Sequence, residues 1–204
     1  MDEFVRHEGI AAPLLRANID TDAIIPSREM KRVSKHGLGE GLFAGWRYLS
    51  QERREPNPDF VLNQPDYRGA SILLGGANFG CGSSREHAVW ALKEYGIRAI
   101  VAPGFGTIFA GNCVRNGLLP LVLPAEVIAA IAAWVSAAPG QNRVLIDLQA
   151  QQLEAVGQTY SFEIDTGDRR MLLQGLDAIA LTQTRGEIIE QFHRRRQKLR
   201  PWLY

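Results

Sequence analysis

Apolar positions along this chain fall into two alternating rhythms. Short runs that are apolar at every position, Ile72–Leu74 within Ser71–Gly75, Ile100–Ala102 and Leu118–Leu123, predict strands buried on both faces. Between them lie stretches with apolar residues at helical spacing. His87–Tyr95 carries a stripe at Val89, Leu92 and Tyr95 and stops at Gly96; Thr107–Asn116 stops at Gly117; a third helix starts at Ala125. Strand and helix alternate three times, which predicts βαβ units with right-handed crossovers and an α/β fold around a mostly parallel central sheet. From Arg143 the rhythm changes. Val144–Leu148 and Thr159–Ile164, on either side of Gly157, predict a hairpin. Thr184 and Glu187 then stand in capping-box relation ahead of a C-terminal helix that runs into His193–Arg196.

Composition narrows the class. A chain of 204 residues with 46% hydrophobic content buries one good core, and no linker or repeat divides it, so a single domain over residues 1–204 is expected. A net charge of +1 favours neither nucleic acid nor a membrane surface as partner. The basic end of the last helix reads as a complement to the helix dipole. Asp2, Glu3, Arg6, His7 and Glu8 break up any signal-peptide core, and the apolar helix Val127–Ala138 is too short to span a bilayer. Two cysteines without metal-ligand spacing fit a thiol-reducing, cytoplasmic setting, with Cys113 buried and reduced inside its helix.

Candidate chemistry concentrates in Ala77–His87, where a strand passes through a glycine-loosened turn into a helix. Ser83 and Glu86 have capping-box spacing, which predicts Ser83 as N-cap and puts Ser84 and Arg85 in the first helical turn. A cation there opposes the helix dipole, so Arg85 calls for an anion nearby, and a carboxylate or phosphate ligand is one candidate. Gly80 and Gly82 allow a ligand to approach the backbone. The third glycine of a dinucleotide fingerprint, the G-K-S/T of a P-loop and the G-x-S-x-G elbow are all missing. Cys81 reads as a small filler in the turn rather than as a thiolate paired with His87.

Upstream, alternation along an extended Asn18–Ile25 would place Asp20 and Asp22 on one side, where they orient a catalytic group or balance Arg85; the plainer reading makes Asn18, Asp20 and Thr21 turn-formers. Metal binding by the two carboxylates alone is improbable, since a calcium loop requires further oxygen ligands. Residues 27–45 are basic at one end and glycine-rich at the other, as in a mobile loop. The run Arg28, Lys31, Arg32 and Lys35 reads by itself as a solvated face.

Several of these segments, in order, resemble one family. Asn18–Pro26, Gly41–Tyr48, Pro56–Leu62, Asn78–His87, Ala99–Pro103, Ile108, Phe109, Asn112 and Asn116–Pro120 are similar to the swivel domain of the aconitase superfamily, and most of all to bacterial isopropylmalate dehydratase small subunits. The likeness spans about Pro13 to Leu181. It implies a swivelling β/β/α fold with a C-terminal helical tail over about residues 184–204. It also implies a hydro-lyase that moves a hydroxyl between adjacent carbons of a malate-type dicarboxylate in leucine biosynthesis. By resemblance Ser83 is the catalytic base, Ser84 and Arg85 hold a substrate carboxylate, Asp22 supports them, and Met30 and Lys31 in the loop contribute to substrate selection. Glu29 departs from the family, standing where relatives carry an apolar residue, which keeps homoaconitate, citraconate or dimethylmalate as alternative substrates beside a purely binding role. The family's [4Fe-4S] cluster is held by thiolates, and with only Cys81 and Cys113 here it is expected on a large partner subunit.

Overall fold

Ala11–Leu14 (β2), Ile72–Gly75 (β5), Ala99–Ala102 (β6) and Leu119–Val122 (β7) hydrogen-bond as a parallel sheet in the order β2-β5-β6-β7. The computed structural model describes residues 1–30, 36–50 and 52–203. Both prolines of the sheet, Pro13 and Pro120, lie in its two edge strands, where a missing N–H interrupts no central ladder. Along β5 the side chains alternate between two cores. Leu73 joins Ile100, Ala88, Val89 and Leu92 on one face, while Ile72 and Leu74 join Val101, Leu121, Ile128 and Ile131 on the other. The helices Glu86–Tyr95 (α3) and Thr107–Arg115 (α4) supply the first core, and Ala125–Ala137 (α5) supplies the second.

A second, antiparallel sheet closes the far side of that second core. Its order is β1-β8-β9-β10, formed by Arg6–Gly9, Val144–Asp147, Gln152–Ala155 and Gln158–Ser161. The expected hairpin is therefore different in detail: the strand at Val144 pairs with Gln152–Ala155, and only the latter turns at Gly157 to meet Gln158–Ser161. β1 pairs with β8, and the chain steps at Ile10 directly into β2, so one continuous segment ties the sheets together. Thr166–Gln174 (α6), capped by Asp165 and closed by Gly175, has only Leu172 buried, which explains why its polar sequence carried no helical stripe.

Neither capping box forms. α3 begins at Glu86 with Arg85 as N-cap and no side-chain cap, because Glu86 turns to accept from Asn116 Nδ2 at 3.0 Å. Ala178–Gln183 (α7) ends at Thr184, whose hydroxyl donates to Leu181 O, and Gly186–Leu199 (α8) starts one residue later than expected, with Arg185 as its N-cap. Asn18–Ile25 is not extended: Thr21–Ile24 forms a single helical turn (α1), with Asp20 as cap accepting from Ala23 N at 2.7 Å. Every residue from Thr182 to Leu203 is exposed, and no helix among the described residues is long and apolar enough to cross a membrane.

The expected loop over 27–45 divides in two. Leu38, Leu42, Phe43 and Ala44 are fully buried, and Ala44–Arg47 (α2) leads into the small hairpin of Tyr48–Ser50 (β3) and Glu55–Pro56 (β4). Glu94 of α3 fastens this stem, accepting from Gly37 N at 2.6 Å and Gly39 N at 2.7 Å. Burial alone pushes its carboxyl up, but the amides of Gly37, Gly39 and Leu38 outweigh that and hold it below the ordinary range. A carboxyl lowered in the folded state stabilises above its unfolded pKa and loses that contribution on acidification. Glu94→Gln is accordingly expected to lower stability by about 1 kcal/mol at neutral pH. The gap from the parent should close as pH falls through the carboxylate range, as followed by urea unfolding at several pH values.

Candidate active site

Three loops meet beyond the carboxyl ends of β2, β5 and β6, the edge where open α/β sheets bind ligands. The middle loop, which follows β5, is bridged in parallel to both neighbours. Toward the β2 loop, Asn18 N donates to Ala77 O at 2.8 Å, Gly80 N to Ile19 O at 2.7 Å and Thr21 N to Cys81 O at 3.0 Å. Toward the β6 loop, Phe79 N donates to Gly104 O at 3.0 Å and Gly106 N to Phe79 O at 2.9 Å. Gly80 sits at φ +72° with the Phe109 ring so close that an added Cβ would lie 2.2 Å from it. The ring takes the place of a side chain and fixes the bend.

Past this clamp the chain emerges. Ser83 and Ser84 are exposed, and their hydroxyls have no hydrogen-bond partner among the described residues. The side chain of Arg85 is 20% exposed and pairs with Asp22 Oδ1, which also accepts from Ser27 Oγ at 3.2 Å. The guanidinium is the larger influence on the Asp22 carboxyl and holds it below the usual range. The anion that Arg85 calls for at a helix start is therefore supplied in the first instance by the protein itself.

A cavity of about 330 Å³ opens beside these residues, walled by Gly80–Arg85 and by Gly106–Phe109 at the start of α4. Neither α3 nor α4 has a side-chain cap. Both therefore present amide donors and the positive end of a dipole at the same opening, alongside a guanidinium and two hydroxyls. Such a combination is suited to a carboxylate or a developing oxyanion.

The family model described as the aconitase C-terminal domain matches residues 1–126. The 3-isopropylmalate dehydratase small subunit of Cupriavidus necator is 63% identical over 207 residues, covering 100% of this chain and 99% of that protein. The chain belongs to the 3-isopropylmalate dehydratase small-subunit family. The small subunit of Dechloromonas aromatica (strain RCB) is 47% identical, with 100% of both chains covered. The crystal structure of 3-isopropylmalate dehydratase from Methanocaldococcus jannaschii superposes with a TM-score of 0.66 at 26% identity, covering 92% of this chain and 99% of that one. The resemblance in motifs thus extends to the whole length, and a small-subunit family implies a larger companion.

Of the residues singled out in the sequence, Ser83, Ser84, Arg85 and Asp22 come together in this family member. Met30 does not line the cavity but lies half-buried against the first core. Lys31, with Arg32 and Lys35, lies outside the described residues. Glu29 pairs with Arg54 at 2.5 Å and Arg28 at 3.6 Å, and its side chain is only 12% exposed. Two features were missed in the sequence. One is Thr21, read as a turn-former, and the other is the start of α4, where Gly104 and Gly106 between strand and helix repeat the arrangement of Gly80 and Gly82 and were the available signal. Cys81 is half-buried and Cys113 fully so, with burial pushing its thiol well up; among the described residues no three His, Cys, Asp or Glu side chains group as metal ligands. This donor set does not fit an iron-sulfur cluster.

Gly80→Ala tests the clamp. A methyl against the Phe109 ring, at a positive φ, is expected to cost about 1–3 kcal/mol, measured as a lowered urea midpoint with unchanged slope.

Proposed function

We propose that this chain is the small subunit of a hydro-lyase that interconverts 2-isopropylmalate and 3-isopropylmalate by dehydration and rehydration, a step of leucine biosynthesis, in complex with a larger iron-sulfur subunit. The observation that carries this reading is the exposed Ser83–Ser84–Arg85 turn at the meeting of two uncapped helix starts, in a chain 63% identical over its full length to a subunit of that enzyme. The [4Fe-4S] cluster belongs to the partner, since this chain lacks the thiolates for it.

Dehydration removes a proton from the carbon beside a carboxylate. The C–H electron pair becomes the new π bond as the neighbouring C–O bond breaks and hydroxide departs. Ser83 Oγ, as alkoxide, takes that proton; Arg85 and Ser84 hold the carboxylate on which negative charge grows. A serine hydroxyl is a poor base in water, and the amide donors and guanidinium at this opening favour its ionised form. Rehydration of the alkene then places hydroxide on the carbon that lost the proton and a proton, returned from Ser83, on the carbon that lost hydroxide. Asp22 pairs with Arg85, which lines the opening, and itself stays ionised.

Glu29 supports the isopropyl substrate over more polar diacids, because its charge is spent on Arg54 and it does not line the cavity. Two reduced, unpaired thiols agree with a cytoplasmic setting.

In the complex with the large subunit, Ser83→Ala is expected to lower kcat roughly 100-fold or more while leaving subunit association and substrate affinity close to those of the parent. Steady-state turnover, calorimetric titration of inactive complex with 3-isopropylmalate and gel filtration check the three terms. Full turnover by Ser83→Ala would refute the assignment, and a parent complex that binds the diacid without turnover would make this chain a binding module.

A further inference from the structure

We propose that Thr21 is a positioning residue for Ser83, acting through its side-chain hydroxyl. Thr21 is one of two buried polar side chains among the described residues, 2% exposed, and stands in the wall of the cavity. Its Oγ1 donates to Ser83 O at 2.8 Å, and its own N–H donates to Cys81 O at 3.0 Å. The next residue, Asp22, holds Arg85. A single turn, α1, thus grips the catalytic loop at Cys81, Ser83 and Arg85.

The hydroxyl matters because of what lies on either side of the bond. Backbone pairing to the neighbouring loops stops at Cys81, and the helical ladder of α3 starts at the Arg85 carbonyl, which accepts from Ala88 N at 3.2 Å. Residues 82–84 cross that gap, with Gly82 at φ +87°, a left-handed conformation that glycine adopts without steric strain. The Thr21 bond is what fixes the Ser83–Ser84 peptide plane within the gap. That plane sets both the direction of the Ser83 side chain and the aim of the Ser84 amide. Removing the donor also strands a carbonyl in the wall.

This inference rests on the reading of Ser83 as base, and its test separates the two. In the complex with the large subunit, Thr21→Val keeps the side-chain volume and removes the donor, while Thr21→Ser keeps the donor and removes a methyl. Loss of alignment at a reacting group costs on the order of 10- to 100-fold. Thr21→Val is therefore expected to lower kcat about tenfold or more, with KM and subunit affinity little changed, and Thr21→Ser to restore kcat. If Thr21→Val does not fold, Thr21→Ala, which admits water to the Ser83 carbonyl, replaces it with the same expectation. The proposal is overturned by a donor-less variant with parental kcat, by Thr21→Ser failing alongside it, or by loss of subunit affinity in step with kcat. Ser83→Ala in the same assay reports on the base independently: an inactive Ser83→Ala beside a normal Thr21→Val sinks only the positioning role.

Discussion

The parallel backbone bridges that bind residues 77–81 to the loops on both sides are the constraint from which the rest of the site follows. A connection between a strand and a helix is ordinarily the part of an α/β unit least held in place. Here its first half is hydrogen-bonded like an inner strand, so the turn beyond it emerges at a fixed point above the sheet. The Phe109 ring against Gly80 completes the arrangement, because α4 then sets the direction in which the chain leaves the clamp. Rigid support beneath and open solvent above is the condition a reactive hydroxyl needs if a second protein is to reach it.

Electrostatics at the turn are arranged in layers. Asp22 balances the cation at the start of α3 and is balanced by it, while the uncapped amides of α3 and α4 keep an unspent positive potential at the opening. Glu86, which looked like a cap, is used instead to tie α3 to α4: Asn116 donates to it and accepts from Trp90 Nε1 at 3.0 Å, and Lys93 donates to the Asn116 carbonyl. The two helices that frame the cavity are thus fixed to one another at its rear.

What was legible in the sequence was whatever burial writes in a regular period. The three all-apolar strands and helices α3, α4 and α5 were legible because each is packed on a full face, and Gly96 ends α3 where expected. β1 and α6 were not, since only Gly9 in one and Leu172 in the other are buried. Capping spacing misled twice, as Glu86 and Thr184 found nearer partners. At the site, the sequence singled out Ser83, Ser84, Arg85 and Asp22, and the fold brings these four together. Arg85 called for an anion, and the sequence offered Asp20 or Asp22 for it; the fold chooses Asp22, 63 residues away, and uses Asp20 as the cap of α1.

The C-terminal helix illustrates a different economy. With Ile188 and Phe192 open to solvent and Arg194, Arg195, Arg196 and Lys198 strung along it, α8 belongs to neither core. In the isolated polypeptide it offers trypsin a row of accessible cut sites, and cleavage there trims the molecule without breaching either sheet. Material shortened from that end keeps both buried cores and loses only the helical signal of α8, so cooperative melting does not by itself show that the tail is intact.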